Sequence, residues 1–392
     1  MKFAQRLSRL GTETAFEVLA RAQALEAQGK RVIHLEIGEP DFDTPQYIRK
    51  AAADALEAGF THYGPSAGLP EFRRLIAEQW SRDRGIPCDA DSVVVTPGAK
   101  PIMFFTMLAL LEEGDEVLYP NPGFPIYESV ANFLNARAIP LVLREENGFD
   151  LDLKELESKI TSRTRLLVLN SPHNPTGAAL KPETVQAIAV LARKHDFHVL
   201  SDEIYARIQY EGRHLSIASL PGMAERTIVL DGFSKTYAMT GWRLGFGIME
   251  HQLAKHVARL MTNSNSCTAT FVQKAGHAAL AGGQAEVHAM VEEFRVRRDV
   301  IVSGLNALPG VSCFMPRGAF YAFPNITGTG IKSAELAKLV LEEAGVACLS
   351  GTAFGAAGEG YLRFSYANST ENIRTALGWL GEFLSVRARQ KV

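Results

Sequence analysis

The sequence predicts an α/β protein, with three layers built on a mainly parallel seven-stranded sheet and a smaller α+β domain after it. Three observations lead there. First, seven short apolar runs recur between residues 93 and 249: VVVT at 93–96, EVLY at 116–119, ARAIPLVL at 136–143, RLLVLN at 165–170, FHVLSD at 197–202, TIVLDG at 227–232 and RLGFGIM at 243–249. They are continuously apolar rather than alternating, as strands buried on both faces are. Second, helical stretches such as PIMFFTMLALLEE and PETVQAIAVLARKHD lie between several of them, the spacing of a doubly wound sheet with helices on both sides. Third, a charged helix over about 284–307 leads into a different rhythm of strand, Pro-Arg-Gly turn, strand (GAFYAFP), helix, strand (YLRFSYA) and helix.

The N-terminal elements complete the outline. Residues 12–28 form an amphipathic helix closed by Gly29, and the apolar strand RVIHLEIG then breaks at Glu39-Pro40-Asp41. At 392 residues the chain exceeds one ordinary core. The expected division is an N-terminal segment, 1–45, joining the small domain; a large domain, 46–283; and the small C-terminal domain, 284–392.

Composition narrows the function classes. Hydrophobic residues make up 46% and charged residues 21%, and the formal net charge is −2. No basic run offers a footprint for nucleic acid or an anionic membrane. Cys88, Cys267, Cys313 and Cys348 lie far apart, so neither a metal site nor a disulfide framework is expected. The opening MKFAQRLSRL lacks the apolar core of a secretory signal, and no apolar run approaches the ~20 residues that span a bilayer. A soluble cytoplasmic protein is expected.

Ligands of open α/β sheets sit beyond the C-terminal ends of the strands. Three runs end in chemically capable residues: Asn170 through Gly177 (NSPHNPTG), Asp202 through Tyr205 (DEIY), and Asp231 through Lys235 (DGFSK). Alone, Lys235 would be a solvated loop lysine. Here small neighbours leave room for a bulky aldehyde, and Arg243, eight residues on, offers a fork suited to phosphate. Gly98-Ala99-Lys100 follows VVVT and precedes a helix, so its N–H groups can face an anion.

The segment Gly232 to Gly245 (GFSKTYAMTGWRLG) resembles the pyridoxal-phosphate attachment signature of the class I and II aminotransferases of fold type I, the aspartate aminotransferase-like enzymes. Gly38-Glu39-Pro40-Asp41-Phe42, His62-Tyr63-Gly64, Asn174-Pro175-Thr176-Gly177, Ser201-Asp202-Glu203-Ile204-Tyr205 and Leu362-Arg363-Phe364-Ser365 match further motifs of that family, in its order. The likeness covers roughly residues 10 to 385.

The resemblance implies pyridoxal 5′-phosphate as cofactor, held as a Schiff base on Lys235, which then serves as the general base of a ping-pong transamination. It implies Asp202 against the ring nitrogen and Asn174 and Tyr205 at the phenolic oxygen. Phe124 takes the stacking position, often Trp or Tyr in relatives. Gly98, Ala99, Lys100, Ser234 and Arg243 belong to the cofactor set. Tyr63 would reach the partner subunit's phosphate, which implies a homodimer with shared sites. Arg363 would grip the substrate α-carboxylate, with Gly38, Asn174, Lys100 and Phe16 as further substrate residues. Each has a plainer reading: a helix N-cap or turn aspartate for Asp202, a turn for Asn174, a core aromatic for Phe124, an interdomain ion pair for Arg363. Gly232 departs from relatives that carry a hydroxyl three residues before the lysine.

Substrate choice stays open. Lys100 matches a lysine that binds the distal carboxylate of acidic substrates in some relatives. Glu13 would repel a dicarboxylate if the N-terminal helix covers the site, and Phe16 would favour an apolar side chain. Glutamate/2-oxoglutarate is expected as one pair, with aspartate, alanine or an aromatic amino acid as the other. A carbon–sulfur β-lyase on the same scaffold is the alternative.

Overall fold

The computed structural model describes residues 1–390. Its main sheet holds seven strands: β2 (Val93–Thr96), β3 (Glu116–Asn121), β4 (Arg137–Val142), β5 (Thr164–Asn170), β6 (His198–Asp202), β7 (Thr227–Gly232) and β8 (Gly245–Ile248). Their order is β2-β8-β7-β6-β5-β3-β4. All neighbours are parallel except that β8 runs antiparallel to both β2 and β7. The expected mainly parallel sheet is therefore present.

The pleat explains why these runs carry no polar alternation. In β5, Leu166 and Val168 join one core while Leu167 and Leu169 join another. In β7, Ile228 and Leu230 face the first core and Val229 a third. Successive side chains point to opposite faces, and helices cover both, so both phases must be apolar. The helices begin and end on ordinary signals. Pro70–Arg84 opens on proline and closes at Gly85 with φ 66°, and Pro182–His195 gathers Arg193, Lys194 and His195 in its last turn.

The remaining strands are short. Ile33–His34 (β1) pairs in parallel with Val346–Ala347 (β10), tying the N-terminal segment to the C-terminal part. Tyr321–Ala322 (β9), Leu349–Ser350 (β11) and Leu362–Ser365 (β12) form an antiparallel sheet of order β11-β12-β9. GAFYAFP and RVIHLEIG thus give only two-residue strands; beyond β1, Leu35 bridges the two small sheets, its N–H donating to the Ala347 carbonyl of β10 at 3.0 Å and its carbonyl accepting from the Ser365 N–H of β12 at 2.7 Å. The first long helix is Ala15–Glu26, which leaves Thr12, Glu13 and Thr14 before it. Arg243 lies in the turn before β8 rather than within it.

Candidate active site

Three neighbouring strands end in polar groups: β5 in Asn170, β6 in Asp202, and β7 in the turn that carries Lys235. Beyond them lies a cavity of about 570 Å³, walled also by Ala99 and Lys100, by Gly38 and Glu39, and by Arg363 of β12. Lys235 lines it. Its Nζ donates to the Gly38 carbonyl at 2.5 Å. Burial lowers its pKa to about 8, with Arg363 and Lys100 acting in the same sense and Glu39 and Glu13 against it. A usable share of neutral, nucleophilic amine therefore exists near neutral pH.

Asp202 is buried and has no cationic partner among the described residues. Tyr127 donates its hydroxyl to Oδ2 at 2.6 Å, and the Ile204 N–H donates to Oδ1 at 3.2 Å. Burial raises its carboxyl pKa to about 6; the Tyr127 hydroxyl pulls it back, and Asp231 and Glu203 add to the rise. No helix follows Asp202, so the N-cap reading fails, while the bond from the Ile204 N–H two residues on is that of a turn aspartate.

Asn174 has its Oδ1 buried with no hydrogen-bond partner. Asn170 fixes this loop: its Oδ1 accepts from the Asn174 N–H at 2.9 Å while its Nδ2 donates to the Asp202 carbonyl at 3.2 Å. The Tyr205 and Tyr321 hydroxyls share a bond of 2.6 Å. Burial pushes Tyr205 well above the usual tyrosine range, so it stays protonated.

Arg243, at φ 54°, donates through Nη1 to the Thr240 carbonyl at 2.9 Å and makes no ion pair among the described residues. Gly98 has φ 85°, and a Cβ there would collide with the Arg243 guanidinium. Glycine lets that cation lie against the chain just before Lys100–Leu110, beside the unsatisfied N–H groups of the helix start. Arg363 is buried, and its Nη2 donates to the Glu36 carbonyl while its Nε has no partner. Its guanidinium lies 4.6 Å from the Tyr321 ring centroid and 5.2 Å from that of Phe354. No carboxylate pairs with it among the described residues, so the interdomain ion pair is not formed.

Ala99, Lys100, Phe124, Asn174, Asp202, Tyr205, Ser234, Lys235, Arg243, Gly38, Arg363 and Phe16 all line this one cavity. Gly98 stands behind Arg243. Tyr63 is 89% exposed and outside its own chain's cavity. Phe124 borders the cavity and meets Tyr127 edge-on at 5.6 Å, so it is not an enclosed core ring. At Gly232 a Cβ would lie 3.1 Å from the Gly245 Cα and the Leu244 carbonyl, so β8 occupies the space that a hydroxyl side chain would need.

The family model for aminotransferase class I and II matches residues 30–380. The chain belongs to the class I and II aminotransferases. It is 42% identical to an aspartate aminotransferase of Pyrococcus horikoshii over 92% of each chain. It is 39% identical to aromatic-amino-acid aminotransferase 2 of Thermococcus litoralis, over 96% of this chain and 97% of that one. The solved aspartate aminotransferase of Thermus thermophilus with maleate superposes with a TM-score of 0.94 at 36% identity, covering 97% of this chain and 99% of the other. The protein is a transaminase of fold type I.

Sequence reasoning misses three residues that shape the site of this aminotransferase. Tyr127 holds Asp202; its signal was its place three residues after Phe124, on the same side of a helix start. Tyr321 backs both Tyr205 and Arg363, and a Cβ on Gly38 would collide with its hydroxyl. Asn170 braces Asn174. The run GAFYAFP shows an inward aromatic but not its partners. Nor does Glu13 simply repel anions, because it forms an ion pair with Lys100.

Proposed function

We propose that this aminotransferase works through pyridoxal 5′-phosphate attached to Lys235, with glutamate/2-oxoglutarate as one amino-group pair and aspartate, alanine or an aromatic amino acid as the other. One observation carries the reading: three groups around Lys235 keep charge or hydrogen-bonding capacity that no protein group takes up. Asp202 is a buried carboxylate without a counter-ion, the Asn174 Oδ1 is buried and unbonded, and Arg243 is an unpaired cation beside a helix start. The residues fit the cofactor. Asp202 would hold the ring nitrogen protonated, Asn174 and Tyr205 would face the phenolic oxygen, Phe124 would stack, and Arg243, Ser234 and the N–H groups of Gly98, Ala99 and Lys100 would take the phosphate.

When bound, the cofactor supplies an electron sink for the pair left at the substrate Cα. Arg363 grips the α-carboxylate through its fork and so fixes which Cα bond faces Lys235. Lys235 Nζ would then take the Cα proton, a task suited to an amine whose pKa burial has lowered to about 8. The exposed Tyr63 suits a homodimer in which it reaches the partner subunit's phosphate. A relative's maleate complex makes a dicarboxylate a reasonable first test substrate.

Lys235→Ala tests the reading. The variant is expected to lose the visible band of lysine-bound pyridoxal phosphate and to lose turnover; a variant keeping both overturns it. Product analysis separates transamination, which returns a 2-oxo acid and stores the amino group, from β-elimination of cystathionine.

A further inference from the structure

The cavity holds more charge than cofactor and α-carboxylate use. Arg243, Lys235, Arg363 and Asp202 have tasks under the proposed function, on which this inference rests. Lys100 is the remaining cation facing the space where a substrate side chain would lie, and it is already engaged. Its ammonium is paired with Glu13, from the segment just before helix Ala15–Glu26, and sits 5.4 Å from the Phe124 ring centroid. The side chain of Lys100 is 52% exposed and that of Glu13 22%, so the pair lies at the cavity mouth rather than in the core. Phe16 borders the same mouth. Both charges are felt at the reacting amine, where Glu13 acts to raise the Lys235 pKa and Lys100 to lower it.

We propose that Glu13 is a built-in counter-ion that occupies Lys100 and sets the balance between dicarboxylate and uncharged substrates. With the pair closed, the side-chain end of the cavity is electrically neutral and presents Phe16 and Phe124. An aromatic or aliphatic amino acid enters without disturbing it. A dicarboxylate gains Lys100 only by displacing Glu13, and the displaced carboxylate remains nearby as a like charge. The same chain therefore takes both classes and discriminates against the acidic one. A partly exposed pair of this kind contributes little to stability, which is what lets a substrate carboxylate replace it. Removing Glu13 is expected to shift selectivity by roughly three- to fivefold, the upper scale of one such interaction.

The experiment uses the wild-type holoenzyme, Glu13→Gln and Lys100→Met. Single-turnover half-reactions with L-glutamate and L-phenylalanine give kcat/KM for each class. Spectral titration with maleate and with 3-phenylpropionate gives affinity without turnover. Glu13→Gln is expected to raise glutamate kcat/KM and maleate affinity roughly three- to fivefold while phenylalanine and phenylpropionate stay within about twofold. Lys100→Met is expected to weaken the dicarboxylates by a larger factor than phenylalanine and phenylpropionate. Equal shifts for both classes, or weaker maleate binding in Glu13→Gln, overturn the proposal. If no amino acid discharges a protein that binds the cofactor, the aminotransferase reading of the site is what fails, and the maleate-to-phenylpropionate affinity ratio still decides the role of Glu13.

Discussion

Replacing Tyr127 with phenylalanine takes one hydroxyl from the site and leaves the ring. That hydroxyl donates to Asp202 Oδ2 at 2.6 Å in a buried setting. A hydrogen bond to a charged acceptor contributes roughly 1.5–3 kcal/mol, and one pKa unit corresponds to about 1.4 kcal/mol. Losing it should raise the Asp202 carboxyl from about 6 by roughly one to two units. Only ionised Asp202 offers charge to a protonated ring nitrogen. The affinity of the apoprotein for pyridoxal 5′-phosphate should thus fall as pH drops through about 6 in the wild type. In the variant the fall should come roughly one to two units higher. At neutral pH the variant should bind roughly two- to tenfold more weakly. Fluorescence titration of apoprotein across a pH series reads both midpoints, and thermal denaturation checks that the fold is intact. Any inflection near 8, where Lys235 becomes neutral, is common to both proteins. Coincident acid midpoints would refute the assignment of Tyr127 as the residue that keeps Asp202 ionised.

Three further outcomes are expected. Asp202 has its folded pKa raised from 3.8 to about 6, so the folded state binds a proton more tightly than the unfolded one, and a stability cost grows as pH rises through that window and persists above it. Two units correspond to about 3 kcal/mol; Asp202→Asn should therefore stabilise the apoprotein by roughly 1–3 kcal/mol at pH 7 and hardly at all near pH 4, as read by urea denaturation. The rate at which apoprotein captures pyridoxal 5′-phosphate should rise with pH and level off with an inflection near 8, where Lys235 becomes neutral, and stopped-flow absorbance should show no inflection nearer the ordinary lysine value. Gly38→Ala drives a methyl into the Tyr321 hydroxyl, at an overpacking cost of about 1–3 kcal/mol in thermal denaturation. Adding Tyr321→Phe should recover part of it, since the ring carbon Cζ lies 3.1 Å from the added Cβ and still crowds it.

The main sheet was legible because burial on both faces leaves no freedom in its strands: β7 must be apolar at Ile228, Val229 and Leu230 alike. Direction was not legible. β8 is as apolar as its neighbours, yet it runs antiparallel, and nothing in GFGI marks that. Site residues at strand ends could be found because chain position places them there, as with Asp202 at the end of β6 and Lys235 just after β7. Tyr321 and Tyr127 escaped because their roles depend on contacts between distant segments, the Tyr205 hydroxyl for one and the Asp202 carboxylate for the other. The Glu13–Lys100 pair was half legible: both residues were singled out for the site, but the sign of their effect on each other depends on where the N-terminal segment docks.

That docking has a consequence for how the enzyme is made. β1 has no partner until Val346 and Ala347 exist, so during synthesis it waits for almost the whole chain to follow. By then every strand of the main sheet, and Lys235 with it, has left the ribosome, and local packing of that sheet need not wait. Arg363 arrives with the same late portion that captures β1. Lys235, Asp202 and Asn174 therefore emerge together in the portion made first, whereas Arg363 and the strand that fixes the N-terminal segment come in the portion made last.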